Sequence, residues 1–253
     1  MARLFDAYRG IHRQGFVPIF VAGGFDSRML VEACVEAGCR GIEYTLRRPD
    51  ADRMIPWIRE NFPDLYLLVG STLDDERIVR KMKEKHPQLL TISEIEQHNV
   101  DGLVSMVGYS LETIRRYSGR RIIIPTAMTV TEALQQTSAG AQFIKLSGTD
   151  LGFVRRVRGA ATHGFCPCFV TGGMTPERIP EAVSAGAVLV AAGFDLILKG
   201  TPESISRGEV AALIREYIDA ADTARRKTFP QMMQADPSDR QAWLDSLPHF
   251  HPF

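Results

Sequence analysis

The chain has 253 residues, with 30 Lys and Arg against 30 Asp and Glu, so its formal net charge at pH 7 is zero. Balanced charge gives no overall attraction to nucleic acid or to an anionic membrane surface. No apolar run is long enough to span a bilayer, and we expect no signal peptide. The composition therefore predicts a cytoplasmic protein, of one large domain or two small ones, that binds neither nucleic acid nor membrane.

The cysteines fit a reducing compartment. There are four of them, Cys34, Cys39, Cys166 and Cys168. The Cys-x-Cys pair could touch a metal ion, but no second Cys or His pair has matching spacing, so buried small apolar residues are the better interpretation. Reduced thiols agree with a cytoplasmic location.

A helix end, an Ala-Gly step and an apolar strand recur as one unit in residues 36–43, 138–145 and 184–191. Glycine at a helix end tolerates the left-handed conformation that stops the helix. Strands that are apolar throughout are buried on both faces, as in parallel sheets. The repeated unit therefore indicates an α/β fold.

In chain order, eight segments predict strands, and helical segments separate most of them. The predicted strands are residues 17–22, 41–45, 65–71, 103–107, 121–125, 143–146, 168–171 and 188–192. Capping residues predict helices at residues 27–37, 50–61, 129–139 and 176–185. Eight strand–helix units in a chain of this length predict a (β/α)8 TIM barrel. An open doubly wound sheet is the alternative.

Several segments lie outside the repeat. Residues 4–14 predict an amphipathic helix that plugs the bottom of the barrel, and residues 74–101 predict two short helices in a charged segment. We assign residues 1–200 to the barrel and residues 201–253 to a C-terminal helix and tail. The tail is rich in Pro, Met and aromatic residues, so we expect it to pack on the barrel or on a neighbouring subunit.

Lys145 stands in an apolar strand, between Ile144 and Leu146. Lysine is seldom fully buried unless it is paired or used, and an ammonium group removed from water tends to lose its proton. The neutral amine can attack a carbonyl carbon and form a Schiff base. The alternative is a lysine at a strand end that reaches solvent or pairs with a carboxylate.

The second predicted strand ends with Glu43, Thr45 and Arg47. In a TIM barrel, active residues lie where strands end, because the following loops surround one mouth. Alternation places Glu43 and Thr45 on the inner face. Glu43 can move protons, and the planar guanidinium of Arg47 can hold a carboxylate. Alternatively, Glu43 only pairs with Arg47 or Lys145, and Thr45 and Thr72 only satisfy backbone groups at strand ends.

Other strand ends add candidates for substrate binding at the same mouth. These are Thr72, Pro125, Thr171, Gly172, Gly173 and Gly193. Gly172 and Gly173 precede a predicted helix, where free N–H groups and the helix dipole attract an anion, although a Gly pair also serves plain turns. The combined set favours aldol chemistry on a 2-oxo acid. An imine is its own electron sink, so this chemistry needs no metal and no organic cofactor.

Six segments occur together and in one order: residues 17–21, 41–47, 69–72, 124–134, 143–146 and 170–174. Their sequences resemble the class I aldolases that cleave 2-keto-3-deoxy-6-phosphogluconate (KDPG) and 4-hydroxy-2-oxoglutarate (KHG). The resemblance implies that Lys145 forms the imine, that Glu43 is the general base, that Arg47 binds the carboxylate and that residues 170–174 form the phosphate loop. It also implies a homotrimer whose substrates are a 2-oxo acid and an aldehyde.

The chain also departs from the family pattern. Residues 146–148 replace an aromatic residue and a proline after Lys145, Thr126 replaces a glycine, and residues 22–24 lack a polar side chain. Phe194 stands where the family has a small hydroxyl residue, and a phenyl ring cannot donate a hydrogen bond and would crowd an anion. These departures predict a substrate that is not phosphorylated or is differently shaped.

Two other functions stay open from the sequence. The departures at Ser147, Gly148 and Phe194 fit a barrel that has lost its activity and serves in ligand binding or assembly. A sugar-phosphate isomerase or epimerase could share the Gly-Gly loop and would not need Lys145. Fold resemblance alone does not decide among these functions.

Overall fold

Eight parallel strands form the centre of a computed structural model that describes residues 2–21, 23–159 and 162–253. The strands are β1 (Phe16–Phe20), β2 (Gly41–Thr45), β3 (Tyr66–Gly70), β4 (Gly102–Val104), β5 (Ile122–Ile124), β6 (Ile144–Ser147), β7 (Cys168–Thr171) and β8 (Ala187–Gly193). They pair in the order β5-β4-β3-β2-β1-β8-β7-β6. A parallel bridge between Thr126 and Lys145 joins the two edges. The predicted (β/α)8 TIM barrel is therefore confirmed, and the open doubly wound sheet is excluded.

Helices cover the outside of the barrel, and the N-terminal helix with the C-terminal helices covers its bottom. They are α1 (Ala2–Gln14), α2 (Ser27–Glu36), α3 (Ala51–Asn61), α4 (Glu76–Lys83), α5 (Ile92–Glu96), α6 (Leu111–Tyr117), α7 (Val130–Ser138), α8 (Leu151–Arg158), α9 (Ile179–Ser184), α10 (Phe194–Ile197), α11 (Arg207–Thr228), α12 (Pro230–Gln234) and α13 (Arg240–Asp245). The helices predicted before the first strand and in residues 74–101 are confirmed as α1 and as α4 with α5.

Capping fixes where these helices begin. Before α7, Glu132 N donates to Thr129 Oγ1 at 3.1 Å, while Thr129 N donates to the Glu132 carboxylate at 2.9 Å. This reciprocal pair satisfies two free N–H groups. Pro176 was predicted to lie near the first turn of the helix after β7, and α9 begins three residues later. Arg178 N and Ile179 N both donate to Thr175 O, so a turn precedes α9, which begins at Ile179.

Two strand ends differ from the prediction. The fourth strand was predicted to reach residue 107, but β4 ends at Val104, and Met106 and Val107 turn outward and are exposed. The first strand was predicted to reach Ala22, which lies outside the described residues, and β1 ends at Phe20.

The barrel separates two apolar cores, as expected for strands buried on both faces. One core lies between strands and helices and contains Phe20, Tyr44 and Leu146. The other fills the barrel interior with residues such as Leu68 and Phe169. Neighbouring residues of one strand therefore enter different cores, which is the alternation that sets the inward direction of Glu43 and Lys145.

The interior core continues through the bottom of the barrel into α1 and the tail. Tyr8 of α1 packs on Phe143, with ring centroids 5.2 Å apart. Trp243 and Leu244 of α13 are buried in the same core. The tail thus packs on the barrel of its own chain. The division into residues 1–200 and 201–253 stays a prediction.

All four cysteines are buried free thiols, which confirms their prediction as small core residues. Among the described residues, no helix has both the length and the apolar character needed to cross a membrane.

Candidate active site

Lys145 and Glu43 face each other inside the barrel. Lys145 Nζ lies 3.5 Å from Glu43 Oε1, and the side chains are only 6% and 1% exposed. Most of their neighbours across the sheet are apolar: Ile19 and Leu68 pair with Glu43, and Phe169 pairs with Lys145. The other neighbour of Lys145 is Thr126. Because water is largely excluded, the interaction between the two charges is stronger than it would be at the surface.

The carboxylate of Glu43 is only partly satisfied. Glu43 Oε2 is buried and has no hydrogen-bond partner among the described residues. A buried carboxylate oxygen without a partner costs free energy unless a ligand or water occupies its lone pairs. The site therefore offers one oxygen to Lys145 and one to a further hydrogen-bond donor in the barrel.

Gly70, at the end of β3, leaves the space that Glu43 occupies. A Cβ atom on residue 70 would overlap Glu43 Oε1 and would press on the methyl group of Thr45. Any side chain at this position would push the carboxylate away from Lys145. Nothing in the sequence marks Gly70 as part of the site, because a glycine at a strand end is common for other reasons.

The hydroxyl protons of Thr45 and Thr72 are used by the protein. Thr45 Oγ1 donates to Phe20 O at 2.7 Å, and Thr72 Oγ1 donates to Val104 O at 3.0 Å. Both side chains are buried at the predicted strand ends. These contacts agree with the structural alternative stated for them. They leave each oxygen able to accept, but not to donate, a further hydrogen bond.

Tyr109 is a mouth residue that sequence reasoning missed. Its hydroxyl is hydrogen-bonded to Thr72 Oγ1. Burial is the main cause that raises its pKa, and the nearby carboxylates of Asp74 and Glu43 raise it further. The residue lies in the loop after β4, and no strand pattern or motif in the sequence marks it.

Arg47 and Arg48 have different environments. Arg47 is exposed and makes no side-chain hydrogen bond to any other residue in the described ranges, so its guanidinium remains available. Arg48 is buried; it donates to Val21 O at 3.3 Å and pairs with Asp50 at the start of α3. Arg48 therefore fixes the loop between β1 and α2, a role that the sequence did not indicate.

The loop after β7 has the backbone shape expected of an anion cradle. Gly172 and Gly173 have φ values of 96° and 63°, a region that glycine enters without strain. Both glycines are exposed. Arg178 stabilises the loop by donating to Gly173 O at 2.7 Å and to Gly148 O at 3.0 Å. One guanidinium therefore lies beside the loop that the sequence assigned to phosphate.

Phe194, just after β8, was expected to crowd an anion at the mouth, and the structure shows that this is wrong. Its ring is buried outside the barrel and packs edge-on against Phe20, with centroids 4.8 Å apart, so it does not crowd the mouth. The position follows from alternation, because Gly193 takes the opposite face. Asp195 is exposed, and its Oδ1 fills the space in which a side chain on Gly193 would begin. The mouth therefore carries a carboxylate beside Gly193.

The structure brings the predicted residues to one end of the barrel, and it places them in two groups. Glu43, Thr45, Thr72, Pro125 and Lys145 are buried around the pair, and Arg47, Thr171, Gly172, Gly173 and Gly193 lie at the rim or reach it. In the described part of the chain, no three His, Cys, Asp or Glu side chains are arranged to hold a metal ion.

Comparison with known proteins gives a curated relative that is an aldolase. No protein-family model matches the chain. The chain is 26% identical over 194 residues to the 2-dehydro-3-deoxy-6-phosphogalactonate aldolase of Escherichia coli strain K12, over 75% of this chain and 87% of that protein.

Solved structures of the same kind share the fold. A native KDPGal structure matches with a TM-score of 0.65 and 22% identity, over 83% of this chain and 96% of that chain. The KDPG aldolase of Zymomonas mobilis ZM4, solved with 3-phosphoglycerate, matches with a TM-score of 0.63 and 17% identity, over 84% of this chain and 94% of that chain. At these identities the structural matches establish the barrel and not its substrate.

Proposed function

We propose that this chain, a divergent member of the KDPG/KHG aldolase family, is a lyase that reversibly cleaves a 4-hydroxy-2-oxo acid to pyruvate, or a related 2-oxo acid, and an aldehyde. The observation that carries the proposal is the buried pair of Lys145 and Glu43, with 3.5 Å between Nζ and Oε1. A buried amine beside a carboxylate with one unpaired oxygen combines a carbonyl nucleophile with a proton acceptor.

Imine formation comes first. The Lys145 ammonium gives a proton to Glu43, and the free amine attacks the C2 carbonyl carbon of the 2-oxo acid. The resulting carbinolamine loses its hydroxyl group as water, with the proton returned by Glu43, and a C=N bond replaces the C=O bond. The 3.5 Å separation is loose for a hydrogen bond, as is common before substrate binds.

Carbon–carbon cleavage follows from the charge on the iminium nitrogen. A base removes the proton of the C4 hydroxyl, the bond between C3 and C4 breaks, and its electron pair moves into the iminium group. The aldehyde leaves, and the enamine takes a proton at C3. Water then releases the 2-oxo acid and restores the amine. We assign the proton transfers to Glu43, whose Oε2 is the unpaired oxygen.

Arg47 is proposed to hold the substrate carboxylate, because it is exposed at the rim and its guanidinium is not used by described residues. Thr45, Thr72 and Pro125 are proposed to shape the pocket wall. The Thr72 hydroxyl gives its proton to Val104 O, so it serves the substrate only as an acceptor. No metal or organic cofactor takes part, because the iminium group accepts the electron pair.

The distal end of the substrate is proposed to lack a phosphate group. The support is Asp195, whose carboxylate lies against Gly193 where the family places its phosphate site. A carboxylate beside a phosphate dianion is a repulsive arrangement, and it accepts hydrogen bonds from hydroxyl groups instead. Thr171, Gly172 and Gly173 would then surround a hydroxyl-bearing or shorter chain, with Arg178 held by backbone carbonyl oxygens.

The specificity proposal is tested with Asp195→Asn, which removes the charge and keeps the size. We expect kcat/KM for KDPG to rise about tenfold or more, as one removed charge repulsion is worth about 1–2 kcal/mol. We expect kcat/KM for KHG to change less than about threefold. The proposal would be contradicted if the wild type preferred KDPG to KHG and Asp195→Asn left that preference unchanged.

The catalytic proposal is tested by mass spectrometry after incubation with pyruvate and borohydride. We expect the reduced pyruvyl adduct on Lys145 in the wild type. Lys145→Arg is the matched control, because it keeps a cation beside Glu43 and cannot form an imine. A folded wild type that gains no adduct would favour the alternative of a barrel that binds ligand or assembles without this chemistry.

Oligomerisation and location are also proposals. We propose a homotrimer, as the family resemblance implies, and a cytoplasmic location.

A further inference from the structure

A large cavity in the described part of the chain lies at the other end of the barrel from Lys145. Its volume is 680 Å³, which is within the range of small-molecule sites. Its walls come from the end of α3, from α1 and from the residues that lead into β4 and β5. Four arginines line it: Arg3, Arg59, Arg120 and Arg121.

Asp101 neutralises part of this positive charge. Arg3 Nε lies 2.7 Å from Asp101 Oδ1, and Arg59 NH1 lies 3.2 Å from Asp101 Oδ2. Leu67 N also donates to Asp101 Oδ2 at 2.9 Å. The Asp101 carboxylate is therefore fully occupied by protein donors, and it holds two of the arginines in place.

The other charges leave the cavity positive. Arg120 lies 3.7 Å from Glu96, which is a loose pair at the surface. Arg121 has no acidic partner within salt-bridge distance among the described residues; one of its nitrogens donates to Val100 O. Of the cavity's lining side chains, the four arginines outnumber the acids Glu60 and Asp101.

Two guanidinium N–H groups here are buried and unused. Arg59 Nε and Arg121 Nε have no hydrogen-bond partner among the described residues. Burial is the main cause that lowers the pKa of both arginines. A buried donor on a charged group is costly to leave unpaired, so a negative charge in the cavity would stabilise both guanidinium cations.

We propose that this cavity is a binding site for a small anion that carries two or more phosphate groups. Guanidinium groups match phosphate oxygens in paired hydrogen bonds, and the cavity offers several guanidinium groups to one ligand. A diphosphate fills more of this space than a single phosphate. It can contact the exposed guanidinium groups of Arg3 and Arg120, whose side chains are 52% and 60% exposed, together with Arg121 in the same cavity wall. The site is independent of the aldolase proposal, because it shares no residue with the barrel mouth.

The test is calorimetric titration of the full chain with inorganic pyrophosphate at low and at physiological salt. We expect the wild type to bind with a dissociation constant below about 1 mM. Arg121→Gln should weaken binding about tenfold or more, since a charged hydrogen bond contributes about 1.5–3 kcal/mol. The Arg120 side chain is 60% exposed, so its replacement should not disturb folding. Arg120→Gln should weaken pyrophosphate binding severalfold. This second variant keeps the test valid if Arg121→Gln fails to fold.

Two matched variants locate the bound anion. Arg155→Gln removes an arginine on α8 whose side chain is 55% exposed, close to the 60% of Arg120. Arg47→Gln removes an exposed cation at the barrel mouth. Both should bind pyrophosphate as the wild type does, within about twofold. The proposal would be overturned if the wild type did not bind pyrophosphate. It would also be overturned if Arg155→Gln weakened binding as much as Arg121→Gln does. Weaker binding in Arg47→Gln, with binding retained in Arg120→Gln, would place the anion at the barrel mouth and overturn it as well.

Discussion

Glu43 reaches Lys145 only because residue 70 has no side chain. The carboxylate occupies the space next to the Cα atom of Gly70, and the pair then meets inside an otherwise apolar barrel. The position of the carboxylate to which we assign the proton transfers thus depends on a glycine on the next strand. Small displacements of reacting groups have large effects on rate, which makes this position sensitive.

Gly70→Ala should therefore separate activity from folding. The added methyl group must displace Glu43 Oε1, and we expect kcat for aldol cleavage to fall about 100-fold. Imine trapping at Lys145 should persist, because the amine is not displaced.

Gly119→Ala is the matched control, since a Cβ atom at residue 119 meets no atom within 4 Å. Its activity should equal that of the wild type. Wild-type kcat in a folded Gly70→Ala protein would show that the observed position of Glu43 is not needed for the reaction.

At the scale of single residues, the sequence identifies candidate site residues well but predicts their contacts poorly. Lysine and glutamate in apolar strands stand out because burial of charge is rare, and alternation gives their direction. Tyr109 has no such signal, since its contact with Thr72 joins residues from different loops. Phe194 was expected in the mouth and is buried outside the barrel, a direction set by the register of β8.

A chain of buried hydrogen bonds ties the tail to α1 and α11. Arg225 lies 3.3 Å from His12 Nδ1, His12 Nε2 lies 3.0 Å from His249 Nε2, and His249 Nδ1 lies 2.8 Å from Phe250 O. Since Arg225 only donates, the partners assign His12 as donor to His249 and His249 as donor to the carbonyl. Each imidazole nitrogen in this series of hydrogen bonds has a suitable donor or acceptor partner only while both imidazoles are neutral.

Both histidines resist protonation in the folded state. Burial, followed by neighbouring positive charges, lowers the pKa of His249 to about 3 and that of His12 well below its ordinary 6.5. The charged groups that face them are Arg225, Arg158 and His251, whereas Asp222 forms an ion pair with Arg226 at 2.7 Å.

Stability should consequently fall as pH falls from about 6.5 towards 3. In that window the unfolded chain binds protons at both histidines and the folded chain does not. The loss is about 1.4 kcal/mol per pH unit for each proton.

His249→Gln should remove close to half of this dependence, because glutamine can accept from His12 without titrating. Denaturant titrations at pH 7, 6 and 5 measure the slope of the unfolding free energy. His163→Gln, a change at an exposed histidine, should leave the slope as in the wild type. Equal slopes in all three proteins would refute the assignment of the titration to this cluster.

Elements were more predictable than their ends. Apolar strands, capping residues and the Ala-Gly steps gave each strand to within a few residues, because these signals are local. The start of α9 depends on a turn around Thr175, and the end of β4 depends on pairing with β5. The place of the tail depends on aromatic contacts with α1, such as Trp243 with Phe5 at 5.9 Å, which lie far apart in sequence.

The whole molecule exposes large apolar side chains at one side of its mouth. Met106 and Val107 follow β4 and are each 52% exposed, and Met128 follows β5 and is 74% exposed. Thr126 N donates to Val107 O, so the two loops are adjacent. Clustered exposed apolar residues often mark an interface, and we place the subunit contact of the proposed homotrimer here.

Met128→Glu should weaken the trimer, because a charge would be buried at the contact. Light scattering after size-exclusion chromatography should give about 85 kDa for the wild type, three times 28.2 kDa, and about 28 kDa for the variant at low micromolar concentration. Lys199→Glu, at an exposed position after β8, is the control. A monomeric wild type would rule out the trimer.

The fold was the most predictable property of the molecule, since the repeated strand–helix unit reports it. Substrate choice was the least predictable. The proposal for substrate choice rests on side chains such as Asp195 and Arg178, whose placement comes from loops rather than from strands.

The most direct test of the account is hydrogen–deuterium exchange at the methyl group of pyruvate, followed by proton NMR in D₂O. Exchange requires both an imine and a base that moves the C3 proton. We predict exchange in the wild type and none in Lys145→Arg. In Glu43→Gln we predict an adduct trapped by borohydride, with exchange slowed about 100-fold or more. A folded wild-type protein that leaves the methyl protons in place would contradict the assignment of Lys145 and Glu43 as a catalytic pair.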